Sequence, residues 1–199
     1  RDGRWLVVAQ PITMGVIDVT GLSKTFGETV AVDDLNFEVE RGEIFGYLGP
    51  NGAGKTTTIR TLLGFLSPTS GTASVLGADV RDAKALREAR RRIGYLPGEL
   101  SFSESVTGRS FLEYQGDLKG AARLDEMTDL FDPPLDRKIR GYSSGNRQML
   151  GLIQTFMHDP DLVIMDEPTS GLDPLKQEVL NDFLREERSA GTTIFFSSH

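Results

Sequence analysis

No cysteine occurs anywhere in the 199 residues. That excludes disulfides and thiolate metal sites and fits a cytoplasmic protein. The chain also lacks any apolar run near the roughly 20 residues that span a bilayer. Its N-terminal RDGRWLVVAQPIT offers only LVVA, too brief for a secretory leader, so a membrane role has to come through a partner. Positive charge is in deficit too. Twenty-two Lys and Arg stand against 29 Asp and Glu, net -7, and no global field draws nucleic acid. What is present is ordinary for a globular protein with a sizeable core: 38% hydrophobic and 26% charged residues.

The periodicity predicts an α/β protein. VIDVTGLSKTF and TVAVDDLNFEVE (29–40) alternate apolar and polar residues, as half-buried antiparallel strands do. Regular structure is expected to begin near Met14, leaving 1–13 as an extension outside the fold. IFGYLG runs apolar into a glycine loop, the mark of a central parallel strand. A helix is expected over 58–66, a strand over TASVLG, a helix over 83–92 and a core strand over RIGYLP. Helical pieces at 108–118 and 121–131 form an inserted stretch within 99–141. Beyond it come a helix over 148–158, the strand LVIMDE, a helix over 175–190 and the strand TTIFFSSH. Strands alternating with helices imply a parallel sheet. The expected division is therefore 14–98 for the antiparallel subdomain with the first part of the core, 99–141 for the helical subdomain and 142–199 for the rest of the core.

Three motifs carry chemistry. Gly49, Pro50, Asn51, Gly52, Ala53, Gly54, Lys55 and Thr56 match G-x-x-x-x-G-K-[ST] between a strand and a helix. Glycines let backbone N–H groups converge on phosphate oxygens, and the helix N-terminus adds its positive dipole end. Lys55 is placed to reach the β- and γ-phosphates of ATP, and the Thr56 hydroxyl to ligate Mg²⁺. A chance match in such a chain has odds of about one per cent. Asp166 and Glu167 end an apolar strand, suiting Asp166 to Mg²⁺ and Glu167 to the attacking water; the plain alternative is an acidic pair capping a turn. Ser143 and Gly145, in YSSGNRQ, open a helix. They read either as a second anion site or as an ordinary N-cap.

The order phosphate loop, Ser-x-Gly turn, LVIMDE, SGLD and strand-end His resembles the nucleotide-binding domain of ABC transporters, over Val16 to His199. FGETVAVDDLNFEVERGEIFGYLGPNGAGKTTTIRTLLGFLSPTSG is similar to the ATPases of ABC-2 type exporters, including multidrug efflux systems. The resemblance implies a P-loop NTPase core with an antiparallel β subdomain and an inserted helical subdomain. It further implies a head-to-tail dimer of two copies and an integral membrane permease as partner, with the chain held at the inner face of the membrane. Carried over by position, Phe26 stacks on adenine (or is an ordinary core Phe), and Thr57 contacts the α-phosphate region. Asp173 bridges the dimer interface, and His199 contacts the γ-phosphate. Ser143 and Gly145 reach the γ-phosphate held by the other copy.

Departures from the family pattern are few. Ser144 stands where the signature LSGGQ has glycine. Gly98 stands where a glutamine usually serves Mg²⁺ and coupling, leaving either Glu99 as its substitute or the loop as a hinge only. Arg87, Arg90, Arg91 and Arg92 cluster on one helix, which is expected to be a solvated face pairing with acids such as Glu88. Family members continue past the histidine, so the resemblance implies that the C-terminal part is missing. The rival functions are a soluble ABC ATPase acting on ribosomes or DNA, and an incomplete cassette that binds ATP without hydrolysing it.

Overall fold

The computed structural model describes residues 15–199, so the expected extension over 1–13 lies outside the described residues. Two four-stranded sheets form the frame. The first is antiparallel. It is built from β1 (Ile17–Phe26), β2 (Thr29–Val39), β4 (Ser70–Val75) and β5 (Ala78–Asp79) in the order β2-β1-β4-β5. The second is parallel, in the order β3-β8-β7-β6, from β3 (Ile44–Leu48), β6 (Ile93–Leu96), β7 (Leu162–Asp166) and β8 (Thr193–Ser198). Helices α1 (Lys55–Leu62), α2 (Ala83–Arg90), α5 (Ser144–Phe156) and α6 (Pro174–Ala190) cover the sheets. Helices α3 (Gly108–Lys119) and α4 (Leu124–Phe131) form the insertion.

β7 is apolar throughout because both its faces are covered. Leu162 and Ile164 pack with α1, α2 and the antiparallel sheet, while Val163 and Met165 pack with α5, α6 and the insertion. Each fully buried Leu, Ile or Phe contributes about 1.5–3 kcal/mol relative to exposure. Gly94 on β6 lets α5 lie close, since a Cβ there would fall 2.2 Å from the Thr155 carbonyl oxygen.

One expectation is corrected. β3 is an edge strand of the parallel sheet, and β8 and β7 hold the centre. Its apolar run has another cause. Phe45 packs with Phe37 of β2 (5.2 Å between centroids) and with Phe195 of β8 (5.6 Å) in a three-ring cluster, so the antiparallel sheet covers a strand that would otherwise face water. Leu48 at its end is 70% exposed. Four helix starts also differ, α1 beginning at Lys55 rather than Thr58 and α6 at Pro174 rather than Leu175. α5 begins at Ser144, four residues before the predicted Gln148, because the Ser143 hydroxyl caps it. α4 begins at Leu124 rather than Ala121.

One charged cluster ties the insertion to α6. Arg123, at the start of α4, donates to Glu187 Oε1 at 2.7 Å and Oε2 at 3.0 Å on α6. It also donates to Glu126 Oε2 at 2.9 Å and Oε1 at 2.6 Å. Thr192 Oγ1 donates to Glu187 at 3.2 Å. Hydrogen bonding to the two glutamates raises the guanidinium's pKa, and Arg123 in turn holds the Glu126 carboxyl below the usual range.

Candidate functional site

The glycine loop leaves β3 and turns into α1. Gly54 caps that helix in the left-handed region at φ 83°, with no side-chain cap. A Cβ there would lie 2.2 Å from the Ala31 carbonyl oxygen, so glycine is required on grounds of both conformation and space. Without a side-chain cap, the first N–H groups of α1 are left for an anion. The loop borders a cavity of ≈ 370 Å³ lined by Thr29 to Ala31, Asn51 to Thr57, Gly98, Asp166 and Glu167.

Lys55 is 7% exposed, and its Nζ donates to the carbonyl oxygens of Gly49 (2.5 Å) and Pro50 (3.2 Å). It also stands 3.6 Å from Glu167 Oε1. The Thr56 hydroxyl donates to Asp166 Oδ2 at 2.7 Å, and the Ser197 hydroxyl to Asp166 Oδ1 at 2.5 Å. Asp166 is itself 3% exposed, a buried carboxylate held by two hydroxyls. Glu167 sits just past β7 with φ 52°, an uncommon conformation for a side-chain-bearing residue. Its backbone N–H donates to the Ser197 carbonyl (3.3 Å) and hydroxyl (3.2 Å) oxygens. Its Oε2 lies 2.8 Å from His199 Nδ1. Ser197 escaped the sequence reading. The only available signal was register, because parallel pairing sets it opposite Asp166.

Thr56 and Asp166 fit Mg²⁺. Together they offer one hydroxyl and one carboxylate, both hard oxygen donors at the cavity wall. Mg²⁺ is usually held by one or two carboxylates with waters and substrate phosphates rather than by an all-protein cage. No larger cluster of metal-ligating side chains occurs among the described residues.

Gly98, and not Glu99, borders this cavity. A Cβ at 98 would sit 3.3 Å from Asp166 Oδ2, so the main chain closes against the carboxylate where a longer side chain would stand. Burial, and then the Asp166 charge, push the Tyr95 phenol upward.

The other predicted residues lie apart from the cavity wall. Phe26 is 48% exposed, with Lys24 Nζ 4.9 Å from its ring centroid, which rules out the ordinary core Phe. It pairs with Thr29, a wall residue. The Ser143 hydroxyl accepts from Asn146 N–H at 3.2 Å, and the Asp173 carboxylate from Lys176 N–H at 3.0 Å. Both are therefore N-caps within this chain. Gly145 faces the loop before α6, where a Cβ would meet the Gly171 carbonyl at 3.2 Å. Ser143, Gly145 and Asp173 thus form a second group around the starts of α5 and α6. Of the arginines, Arg91 reaches Glu88 at 3.7 Å, as expected of a solvated face. Arg92 pairs with Asp161, while Arg90 donates to the Leu63 carbonyl at 3.2 Å.

A family profile described as ABC transporter matches residues 32–170. Over 92% of its length the chain is 36% identical to "Probable multidrug ABC transporter ATP-binding protein YbhF" of Escherichia coli (strain K12), spanning 33% of that protein. Over 92% of its length it is also 37% identical to "Nod factor export ATP-binding protein I" of Cupriavidus metallidurans, spanning 63% of it. The chain thus spans less than two-thirds of these curated relatives. A solved "Structure of ATP binding subunit of ABC transporter" superposes with a TM-score of 0.83 at 30% identity, covering 92% of this chain and 79% of that one.

Proposed function

Because the chain belongs to the ABC transporter ATP-binding family, we propose that it is the ATP-binding, ATP-hydrolysing subunit of an ABC-2 type exporter. It would work as a head-to-tail dimer on a membrane permease at the cytoplasmic face. One observation carries the proposal: two adjacent carboxylates, Asp166 and Glu167, stand 2.7 Å and 3.6 Å from Thr56 and Lys55 at the mouth of the glycine loop. The names of the relatives, multidrug and Nod factor export, support the exporter role.

Each residue then has a physical task. The N–H groups of residues 51–56 and the start of α1 bind phosphate oxygens. Lys55 exchanges its two carbonyl acceptors for the β- and γ-phosphates. Thr56 and Asp166 hold Mg²⁺, which when bound neutralises charge developing on the phosphates. Glu167 orients the attacking water and accepts its proton, and His199 fixes the Glu167 carboxylate from the far side. Phe26 stacks on adenine. Ser143 and Gly145 act on the other copy's nucleotide, the start of α5 supplying an anion site that this chain's own cavity does not use, and Asp173 bridges the dimer interface near the other copy's glycine loop.

Two measurements test these assignments. With ATP, the Glu167→Gln variant is expected to double its mass by light scattering, while Glu167→Gln/Ser143→Glu stays at one chain. A mass unmoved by ATP in the first variant would sink the dimer. Phe26→Ala is expected to weaken ATP binding about tenfold, the worth of one aromatic–base stack. An unchanged affinity removes Phe26 from the site.

A further inference from the structure

Ser197 on β8 is fully buried and lies behind the cavity wall rather than on it. Parallel pairing sets it opposite Asp166 on one side and Tyr47 on the other. A serine hydroxyl carries one proton and two acceptor positions. The proton is committed: it goes to Asp166 Oδ1 at 2.5 Å, because an ionised carboxyl can only accept. One acceptor position takes the Glu167 N–H at 3.2 Å, a donor that the Ser197 carbonyl shares at 3.3 Å. A single hydroxyl therefore spans two consecutive acids, the first through its side chain and the second through its main chain.

Each contact has a consequence for the cavity. With Oδ1 held by Ser197, Asp166 turns Oδ2 toward Thr56, 2.7 Å away. A Cβ at Gly98, on the cavity wall, would sit 3.3 Å from the same oxygen. Oδ2 is thus the oxygen offered to a cation. Glu167 follows at φ 52°, a conformation that a residue with a side chain keeps only where its surroundings impose it. The shared N–H bond ties that turn to β8, and the turn sets where the Glu167 side chain points. Satisfying a buried carboxylate would need only the donated proton. The second bond, to the Glu167 N–H, goes beyond that need. Its neighbours extend the pattern: the Ser198 carbonyl accepts the Gly49 N–H at 3.1 Å, and His199 Nδ1 lies 2.8 Å from Glu167 Oε2.

We infer that Ser197 is a positioning residue of the ATPase: its hydroxyl presents Asp166 Oδ2 to Mg²⁺ and fixes the turn that aims the Glu167 carboxylate at the attacking water. The inference rests on the ATPase reading above for the cation and the water. Absent from the cavity wall, Ser197 acts only through the two acids. Partners that orient a metal's ligands in this way commonly set affinity or activity by about 10–100-fold.

The test compares Ser197→Ala and Ser197→Thr with the wild type. Mn²⁺, which favours oxygen ligands as Mg²⁺ does, is titrated into the ATP complex and followed by electron paramagnetic resonance. Ser197→Ala is expected to raise the Mn²⁺ concentration at half-saturation by about 10–100-fold, and to lower kcat at saturating Mg²⁺ at least about tenfold. Its KM for ATP and its ATP affinity in EDTA should stay within about threefold of wild type. Ser197→Thr keeps the hydroxyl on a side chain suited to a strand and should stay near wild type in all four measures. If Ser197→Ala does not fold, Ser197→Cys takes its place, because a thiol is close in size and only a weak donor. The inference is overturned if the variant lacking the hydroxyl keeps both Mn²⁺ affinity and kcat within about threefold. It is also overturned if ATP affinity in EDTA falls as far as Mn²⁺ affinity, which makes Ser197 a packing residue. Ser197→Thr as impaired as Ser197→Ala overturns it too, since size and not the hydroxyl would then decide. Wild-type phosphate release tests the ATPase reading by itself, and Mn²⁺ binding is read without turnover, so the two readings fail separately.

Discussion

Glu167→Gln is expected to cut ATP turnover by about 10²–10⁴-fold, the usual contribution of a positioned general base. Glutamine keeps the length and can still meet His199 Nδ1, 2.8 Å from the present carboxylate oxygen. What it removes is the proton acceptor and the negative charge 3.6 Å from Lys55 Nζ. Phosphates carry negative charge into the cavity, so losing a carboxylate there should leave ATP affinity equal or tighter, and the ATP-bound dimer should accumulate. Phosphate release and equilibrium nucleotide binding, measured on one preparation, separate the two effects. A variant turning over within about threefold of wild type would remove Glu167 from the chemistry. A wild type that binds ATP but releases no phosphate would instead be a cassette that binds ATP without hydrolysing it.

The site was legible in sequence where its chemistry is local. G-x-x-x-x-G-K-T fixes its residues by spacing along one turn, and Asp166 and Glu167 follow from an apolar strand ending in acids. What escaped depends on distant pairing. Ser197 reaches Asp166 only because β7 and β8 align 166 with 197, and Thr29 to Ala31 enter the wall because Gly54 closes on Ala31. β3 was misplaced for the same reason. Its apolar residues answer to Phe37 on a different sheet, and no pattern within IFGYL distinguishes that cover from a central position. Ser143 is a different case. Its capping bond is local and was one of the two readings open from sequence, while the proposed role toward another copy's nucleotide depends on a partner that no pattern within one chain can place.

The Arg123 cluster was illegible altogether. In REERSA, Glu187 reads as one more solvated charge of a helix, yet its side chain is 4% exposed. Arg123→Met is expected to destabilise the fold by about 3–5 kcal/mol, the range for stripping the partner from a buried charge. Glu187 would then keep only the Thr192 hydroxyl, 3.2 Å away. Urea denaturation measures the loss, and less than about 1 kcal/mol would place the cluster among weak surface pairs. Replacing both partners, Arg123→Met with Glu187→Leu, should recover most of it, because no unpaired charge remains buried. The pH dependence carries a sign. Arg123 depresses the Glu126 carboxyl in the folded state. That stabilisation is present above the unfolded carboxylate range and is lost as pH falls through the depressed folded value. The wild type's advantage over Arg123→Met should therefore narrow on acidification, from about pH 4 downward. The same tie anchors α4 to α6 while α4 packs against α5, the helix that Ser143 begins. An insertion loosened at Arg123 should accordingly weaken ATP-dependent dimerisation while leaving ATP binding by the monomer intact, whereas a purely local defect would leave dimerisation unchanged in native buffer.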